Sequence, residues 1–337
     1  MNARLQAMPE RPRLGFLGVG WIGCQRMQVL AESGEASVAA IADPHPGSLA
    51  RAAEHAPQAR RCRSVAELLE DDDLDGVVIA TPSGAHALQA IAALERGLAV
   101  FCQKPLTRTA AEAEQVIEAA RRADRLLDVD FSYRAVAGVP ELRRQVQAGE
   151  LGDIYAVDLV FHNAYGPDKA WFYELAQSGG GCVMDLGTHL VDLAQWICGA
   201  CGHEDMSAAL YAQGRLLDAP IDRVEDYAVA QWRLDNGTHV RLACSWRLPA
   251  GRGAVIQASF YGTRAGAALR NVGGSFYDFI VERFDGTARS NLAAPPDPWG
   301  GRTLVEWARR LRHDRRFDPA AVRLLQVART VDAIYGR

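Results

Sequence analysis

Leu14-Gly15-Phe16-Leu17-Gly18-Val19-Gly20-Trp21-Ile22-Gly23 passes from a short apolar run into a glycine-spaced turn, and from there into an amphipathic stretch, Trp21–Glu32. When Gly-x-Gly-x-x-Gly ends a strand and opens a helix, each glycine has a task. Gly18 permits the tight turn, Gly20 lets a pyrophosphate approach the backbone, and Gly23 lets the helix pack close to the sheet. Trp21 and Ile22, within the turn, join them as candidate cofactor contacts. The helix N-terminus adds free N–H groups and a positive dipole end. Three glycines also suit an ordinary turn, so the flanking sequence must decide.

Working outward, apolar runs alternate with helical patterns: Ser37–Ala42, Pro46–His55, Val65–Leu69, Gly76–Ala80, Ala85–Arg96, Ala99–Cys102, Ala110–Ala123 and Leu126–Phe131. This alternation predicts right-handed βαβ units and a parallel sheet with helices on both faces. Residues 1–131 therefore read as a doubly wound α/β domain. Asp43 ends the second strand about twenty residues after Gly23, where an acid accepts hydrogen bonds from adenosine ribose hydroxyls. The alternative is that it caps the turn Asp43-Pro44-His45-Pro46. An acid there repels a 2′-phosphate, and Pro44–Leu49 holds no Arg or Lys to bind one. NAD is thus preferred to NADP.

Ligands in such sheets bind beyond the carboxyl ends of the strands. Thr81-Pro82-Ser83 follows the fourth strand and Gln103-Lys104-Pro105 the fifth, so both turns should face the dinucleotide. Lys104 is also unusual in composition, since it and Lys169 are the only lysines among 37 basic residues. An ammonium is a compact point charge, chemically distinct from the planar guanidinium used elsewhere in the chain.

After residue 131 the pattern changes. Residues 132–337 read as an α+β domain with an open, largely antiparallel sheet backed by helices on one face. Its expected helices are Val139–Ala148, Cys182–Ile197, Thr303–Arg312 and Pro319–Tyr335, the last two free to return and pack on the first domain. Its expected strands are Ile154–Phe161, Tyr227–Leu234, His239–Trp246, Val255–Tyr261, Gly266–Arg270 and Phe276–Phe284. Asn236-Gly237 between two alternating runs is a hairpin signal.

The second informative stretch is Gly179-Gly180-Gly181-Cys182-Val183-Met184-Asp185-Leu186-Gly187-Thr188-His189. On a regular helix Asp185 and His189 are i and i+4 and share a face, which Asp192 continues. Such a histidine is either a core residue satisfied by its aspartate or part of a site that a ligand approaches through the glycines. Hydride removal from a carbinol carbon needs a base, and an imidazole suits that task. In this scheme Asp185 sets the tautomer of His189, and Lys104 stabilises the developing alkoxide. His162, Asn163, Trp171, Trp246 and Arg247 are candidate pocket residues, with packing or exposure as the plain alternative. No recognised ligand spacing supports a metal site at His189, Asp185, Asp192 and His162. Cys198-Gly199-Ala200-Cys201 lies at a helix end, the wrong place for a redox motif.

Composition fits this reading: 337 residues suffice for about two domains, and 49% hydrophobic with 23% charged residues is ordinary globular usage. A net charge of −4 with dispersed arginines offers no footprint for nucleic acid or an acidic membrane. Met1–Arg13 lacks the apolar core of a secretory signal, and no run is long enough to span a bilayer. Seven scattered cysteines suit reduced thiols, so a cytoplasmic location is expected. Heavy Arg and Ala use with little Lys suits a GC-rich bacterial coding sequence.

Together these residues resemble the Gfo/Idh/MocA family, the glucose-fructose oxidoreductase and inositol dehydrogenase group. The resemblance rests on Gly18–Gly23, Asp43, Thr81-Pro82-Ser83 with His86, Lys104-Pro105, Arg134, Gly179–Gly181, and Asp185 with His189. Asp332-Ala333-Ile334-Tyr335 is similar to the family's last helix. The resemblance implies a Rossmann domain followed by an open-faced sheet that mediates dimers or tetramers. It also implies NAD(P)-dependent oxidation of a sugar, cyclitol or related polyol, with Lys104, Asp185 and His189 in the catalytic positions. His86 and Gln103 then join the cofactor site, and Arg134, His162, Asn163 and Trp171 the substrate site. Some relatives instead cleave glycosides through transient oxidation, and a third reading is a protein that senses a dinucleotide without catalysis. One departure stands out: the family usually has Glu before Lys-Pro, and this chain has Gln103. Glutamine keeps a hydrogen-bonding group for the cofactor ribose but removes a negative charge beside Lys104.

Overall fold

The computed structural model describes residues 10–337. Six parallel strands form the first sheet: β1 (Arg13–Leu17), β2 (Ser37–Ala42), β3 (Arg60–Cys62), β4 (Gly76–Ile79), β5 (Ala99–Cys102) and β6 (Leu127–Val129). Their order is β3-β2-β1-β4-β5-β6. The chain reverses direction of travel across the sheet between β1 and β4, which leaves a crevice at the carboxyl ends of these strands. β4 and β5 are buried throughout, as strands covered on both faces must be.

The sequence signal for β3 was missing. Arg60 and Arg61 are exposed and only Cys62 turns inward, so three residues show no readable period. Val65–Leu69 is instead a short helix, opened by Ser64, whose side chain accepts the Glu67 N–H.

The second sheet comprises β7 (Ile154–Asn163), β8 (Glu204–Ala212), β9 (Arg215–Leu216), β10 (Tyr227–Arg233), β11 (His239–Ser245), β12 (Ala254–Gly262), β13 (Gly266–Asn271), β14 (Phe279–Asp285) and β15 (Ala288–Ala293). Their order is β15-β14-β13-β12-β7-β11-β10-β8-β9. Only β7 and β11 pair in parallel. The expected hairpin at Asn236-Gly237 joins β10 to β11, with Arg233 opposite His239. β8, β9 and β15 had not been expected, because β8 opens with Glu204 and Asp205 and β15 is exposed over its first four residues. Edge strands with polar side chains lack the alternation that marks a half-buried strand.

One face of this sheet is packed. Val157, Leu159 and Phe161 of β7 are buried among the apolar residues of the helix Thr188–Cys198, while Tyr155 and Tyr261 point outward and are exposed. The helix Arg302–His313 returns to the first sheet, where Trp307 lies against Phe101 with ring centroids 5.6 Å apart. The last helix, Val322–Tyr335, packs on both Ala110–Ala123 and Thr188–Cys198. Burying an apolar side chain such as Leu304 contributes about 2 kcal/mol, so these returning helices are structural members of the first sheet's core. Among the described residues no helix is long and apolar enough to cross a membrane.

Candidate active site

The glycine turn has the sterics its spacing implied. Gly18 has φ +83° and donates its N–H to the Ala42 carbonyl at 2.8 Å, and a Cβ there would meet the Ala80 carbonyl oxygen at 2.6 Å. At Gly23 a Cβ would lie 2.1 Å from the Gly18 oxygen, so the helix is close against its own turn. At Gly20 a Cβ would meet nothing within 4 Å, which leaves room for a ligand to approach the backbone. Trp21, 70% exposed, stands at the mouth of this opening. Ile22 is half-buried.

Asp43 caps the turn that follows it, the alternative considered for it, and also holds the glycine turn. Its Oδ2 accepts the Val19 N–H of the glycine turn at 2.9 Å, and its Oδ1 accepts the His45 N–H at 2.8 Å. A carboxylate has about four lone-pair sites, so these two bonds orient it and still leave acceptor capacity for ribose hydroxyls. The open backbone at Gly20 and the oriented acid at Asp43 fit a dinucleotide.

The turns after β4 and β5 are tied together by His86, which is almost wholly buried. Its Nδ1 lies 2.8 Å from the Pro105 oxygen and its Nε2 2.8 Å from the Thr81 oxygen. Both ring nitrogens face main-chain carbonyl oxygens, to one of which a neutral ring donates, and His86 holds the two turns between which it lies. Burial pulls its pKa below the usual imidazole range, against the two carbonyls. Thr81 likewise spends its hydroxyl on Gln89 Oε1 at 2.7 Å. Pro82 caps the helix Ser83–Glu95.

Lys104 emerges from the β5 turn, across a cis bond to Pro105, and reaches the second domain. Its Nζ lies 2.7 Å from both the Oδ1 and the main-chain oxygen of Asp185. The other carboxylate oxygen, Oδ2, accepts from Trp246 Nε1 at 3.0 Å. Both oxygens of Asp185 are thus engaged away from His189, and the expectation that Asp185 sets the histidine tautomer is not met. The backbone supplies the reason. Cys182–Ile197 is not one regular helix: Val183–Gly187 forms a π-helical turn before the helix Thr188–Cys198 begins. The wider turn changes which neighbours its side chains meet, a device that recurs at functional sites.

His189 is held by packing. Tyr133 stands edge-on to it with ring centroids 4.9 Å apart, and its Nδ1 is buried with no hydrogen-bond partner among the described residues. Burial, then the positive charges of Lys104 and Arg26, hold its pKa well below the ordinary imidazole value. That direction favours the neutral, base form of the ring.

The glycine triplet has a different purpose from the one expected. A Cβ at Gly180 would lie 2.1 Å from Tyr335 Oη, and one at Gly181 only 1.8 Å from the Glu225 carbonyl oxygen. The triplet admits protein, not ligand. Glu225, fully buried, accepts N–H bonds from Gly181 and Val183 at 2.8 Å each and the Tyr335 hydroxyl at 2.9 Å. Burial raises its pKa against these donors. This anchor fixes the start of the π turn and hence Asp185.

Two family models match the chain, one described as the oxidoreductase family with NAD-binding Rossmann fold over residues 13–131, the other as the GFO/IDH/MocA C-terminal domain over 139–268. The chain belongs to the Gfo/Idh/MocA family. Among curated relatives it is 32% identical to the rhizopine catabolism protein MocA of Rhizobium meliloti over 189 residues, 56% of this chain and 58% of that one. It is 32% identical to inositol 2-dehydrogenase 2 of Saccharopolyspora erythraea over 189 residues, 55% of this chain and 53% of the relative. The chain thus spans little more than half the length of these curated relatives. Among solved structures, levoglucosan dehydrogenase in complex with NADH superposes with a TM-score of 0.83 at 22% identity, covering 97% of this chain and 96% of the other. Aldose-aldose oxidoreductase from Caulobacter crescentus, complexed with glycerol, gives a TM-score of 0.83 at 20% identity, with 97% of each chain covered. At such identities the superpositions speak for the fold.

Several residues named from the sequence of this Gfo/Idh/MocA chain are engaged elsewhere. Arg134 forms a two-pronged ion pair with buried Asp192 and lies over Trp196. It is a strut between the segment Ser132–Ala135 and the helix Thr188–Cys198, not a free substrate ligand. His162 Nδ1 bonds Ser245 Oγ at 2.9 Å, Asn163 Oδ1 accepts the Tyr165 N–H at 2.7 Å, and Trp171 stacks on Phe172. Among the described residues no group of three or more His, Cys, Asp or Glu is arranged to hold a metal. A cavity of about 810 Å³ is lined by Tyr173, Arg223, Glu225, Trp246 and Arg247 among others, but not by Lys104, Asp185 or His189. It touches the catalytic candidates only through Trp246 and Glu225, so the ion pair is the better marker of the reacting centre. Sequence reasoning missed Tyr133, Glu225, Arg26 and Asp130. None stands in a motif, although Tyr133 lies beside Arg134 and Arg26 three residues after Gly23.

Proposed function

We propose that this chain is an NAD-dependent dehydrogenase that oxidises a secondary hydroxyl of a sugar, cyclitol or related polyol, or reduces the corresponding ketone. The observation that carries this reading is the Lys104–Asp185 pair, 2.7 Å across, at the carboxyl end of β5. It lies beyond the strands on the same edge as the open Gly20 backbone. NAD, when bound, supplies the hydride acceptor. Lys104, aligned by Asp185, binds the substrate oxygen and stabilises the negative charge that develops there. His189, neutral and partly exposed, takes the hydroxyl proton. Trp246 restrains Asp185, so the ammonium is held in place before substrate arrives. The relatives named for inositol, glucoside and levoglucosan dehydrogenation support a polyol substrate.

The test is a panel of inositols, aldoses and their deoxy and amino derivatives, followed by NADH absorbance. Turnover of at least one compound with NAD is expected, with weaker binding of NADP because the Asp43 carboxylate would repel a 2′-phosphate. Sugar release without net NADH would instead indicate glycoside cleavage, and NAD binding without any turnover would indicate a sensor.

A further inference from the structure

Parallel pairing of β5 and β6 sets Cys102 beside Val129 and therefore brings Gln103 next to Asp130 at the ends of the two strands. Gln103 Nε2 donates to Asp130 Oδ2 at 2.5 Å. The same oxygen accepts from Arg26 Nε at 2.6 Å, and Oδ1 accepts from Thr303 Oγ1 at 2.5 Å. All three of Arg26, Gln103 and Asp130 are buried, at 6%, 7% and 1% exposure. One carboxylate therefore joins the first helix, the lysine-bearing turn, the end of β6 and the returning helix Arg302–His313.

An amide has two unlike ends. The Asp130 carboxylate accepts from the nitrogen end of Gln103, as it does from Arg26, and the oxygen end of the amide is what remains for a ligand. Among the described residues no donor reaches Gln103 Oε1, and this atom is not sealed from the surface without a partner. It stands one residue before Lys104, on the edge where the glycine turn opens. We infer that Asp130 is a positioning residue that fixes the amide of Gln103 so that its oxygen accepts a ribose hydroxyl of the dinucleotide. This inference rests on the dinucleotide reading given above. It also accounts for glutamine at position 103 in this chain: a glutamate there would bring a second carboxylate against Asp130 Oδ2.

The experiment measures NAD binding by tryptophan fluorescence and KM for NAD by turnover, in the full chain and in Gln103→Met, Gln103→Glu and the exchange Gln103→Glu with Asp130→Asn. Melting temperature is followed in each. Gln103→Met removes the acceptor but leaves Asp130 its two other donors, and a rise in Kd of about tenfold is expected, carried by KM for NAD and not by kcat. Gln103→Glu is expected to weaken NAD binding at least as much and to lower the melting temperature. The double exchange returns a donor to position 130 and should bring Kd back to within about threefold of the wild-type value. A Kd for Gln103→Met within about twofold of wild type overturns the acceptor role, and a double exchange no better than Gln103→Glu overturns the positioning role of Asp130. Failure of the wild-type chain to bind NAD overturns the dinucleotide reading and this inference with it, a result distinct from either of the others.

Discussion

Lys104 and Asp185 are 81 residues apart in the chain, yet Nζ of one is held by both the carboxylate and the main-chain oxygen of the other. Each side chain is 17% exposed, so the pair is largely removed from water. An ion pair of this kind adds little net stability. Its value here is geometric: it aims one ammonium from the first domain at a point defined by the second.

Replacing Lys104 with Ala should lower kcat/KM for the preferred polyol by about 10²-fold to 10³-fold while leaving the Kd for NAD close to wild type. Lys104→Arg should not restore turnover, because a planar guanidinium does not reproduce a point charge held by two oxygens of Asp185. NADH absorbance and fluorescence titration read the two effects separately.

His189 must be deprotonated to accept the substrate proton. Its pKa is held well below 6.5 by burial and by the charges of Lys104 and Arg26, so the base form persists as pH falls through the ordinary histidine range. The acid limb of kcat/KM for alcohol oxidation is therefore expected below pH 6.5. Removing the charge in Lys104→Met should move that limb upward in the residual activity. A wild-type limb at or above pH 6.5 would contradict the assignment. His189→Ala should lower kcat by about 10²-fold to 10⁴-fold.

Two glycine substitutions should separate cofactor binding from folding. Gly20→Ala places a methyl in open space, with φ at Gly20 near −61°, and should leave the melting temperature unchanged while weakening NAD binding. Gly181→Ala drives a methyl to 1.8 Å from the Glu225 carbonyl oxygen and should cost at least about 3 kcal/mol, seen as poor folding or a large fall in denaturant midpoint.

Arg134→Ala leaves Asp192 buried without its partner. Burial already raises the Asp192 pKa and the guanidinium opposes this, so the variant should lose about 3 kcal/mol of stability. The KM for substrate should change little, whereas a substrate-binding arginine would show the reverse.

The local content of the glycine turn was readable because its constraint is local. A strand, a turn at positive φ and a helix packed against that turn all lie within Leu14–Glu32, and only glycine meets each steric demand there. Strand ends at Thr81 and Lys104 followed from the apolar period, and parallel βαβ connection places such ends on one edge. Gly179–Gly181 carried an equally clear signal with the wrong cause attached. Its constraint comes from Glu225, 44 residues beyond Gly181, and Tyr335, 155 residues beyond Gly180, and a stretch of sequence does not state what presses on it.

Thus the doubly wound parallel sheet, the glycine turn and the placing of Asp43 and Lys104 just beyond strand ends were legible in the sequence alone, because period, turn sterics and connection handedness act between neighbours. Tertiary structure decided which partner each functional group takes. The π turn and the Glu225 anchor assign Asp185 to Lys104 and Trp246 instead of His189. Strand register gives Gln103 to Asp130, and Arg134 is drawn to Asp192. Hydrogen bonds and ion pairs form between groups that packing brings within about 3 Å, and that proximity is a property of the folded chain.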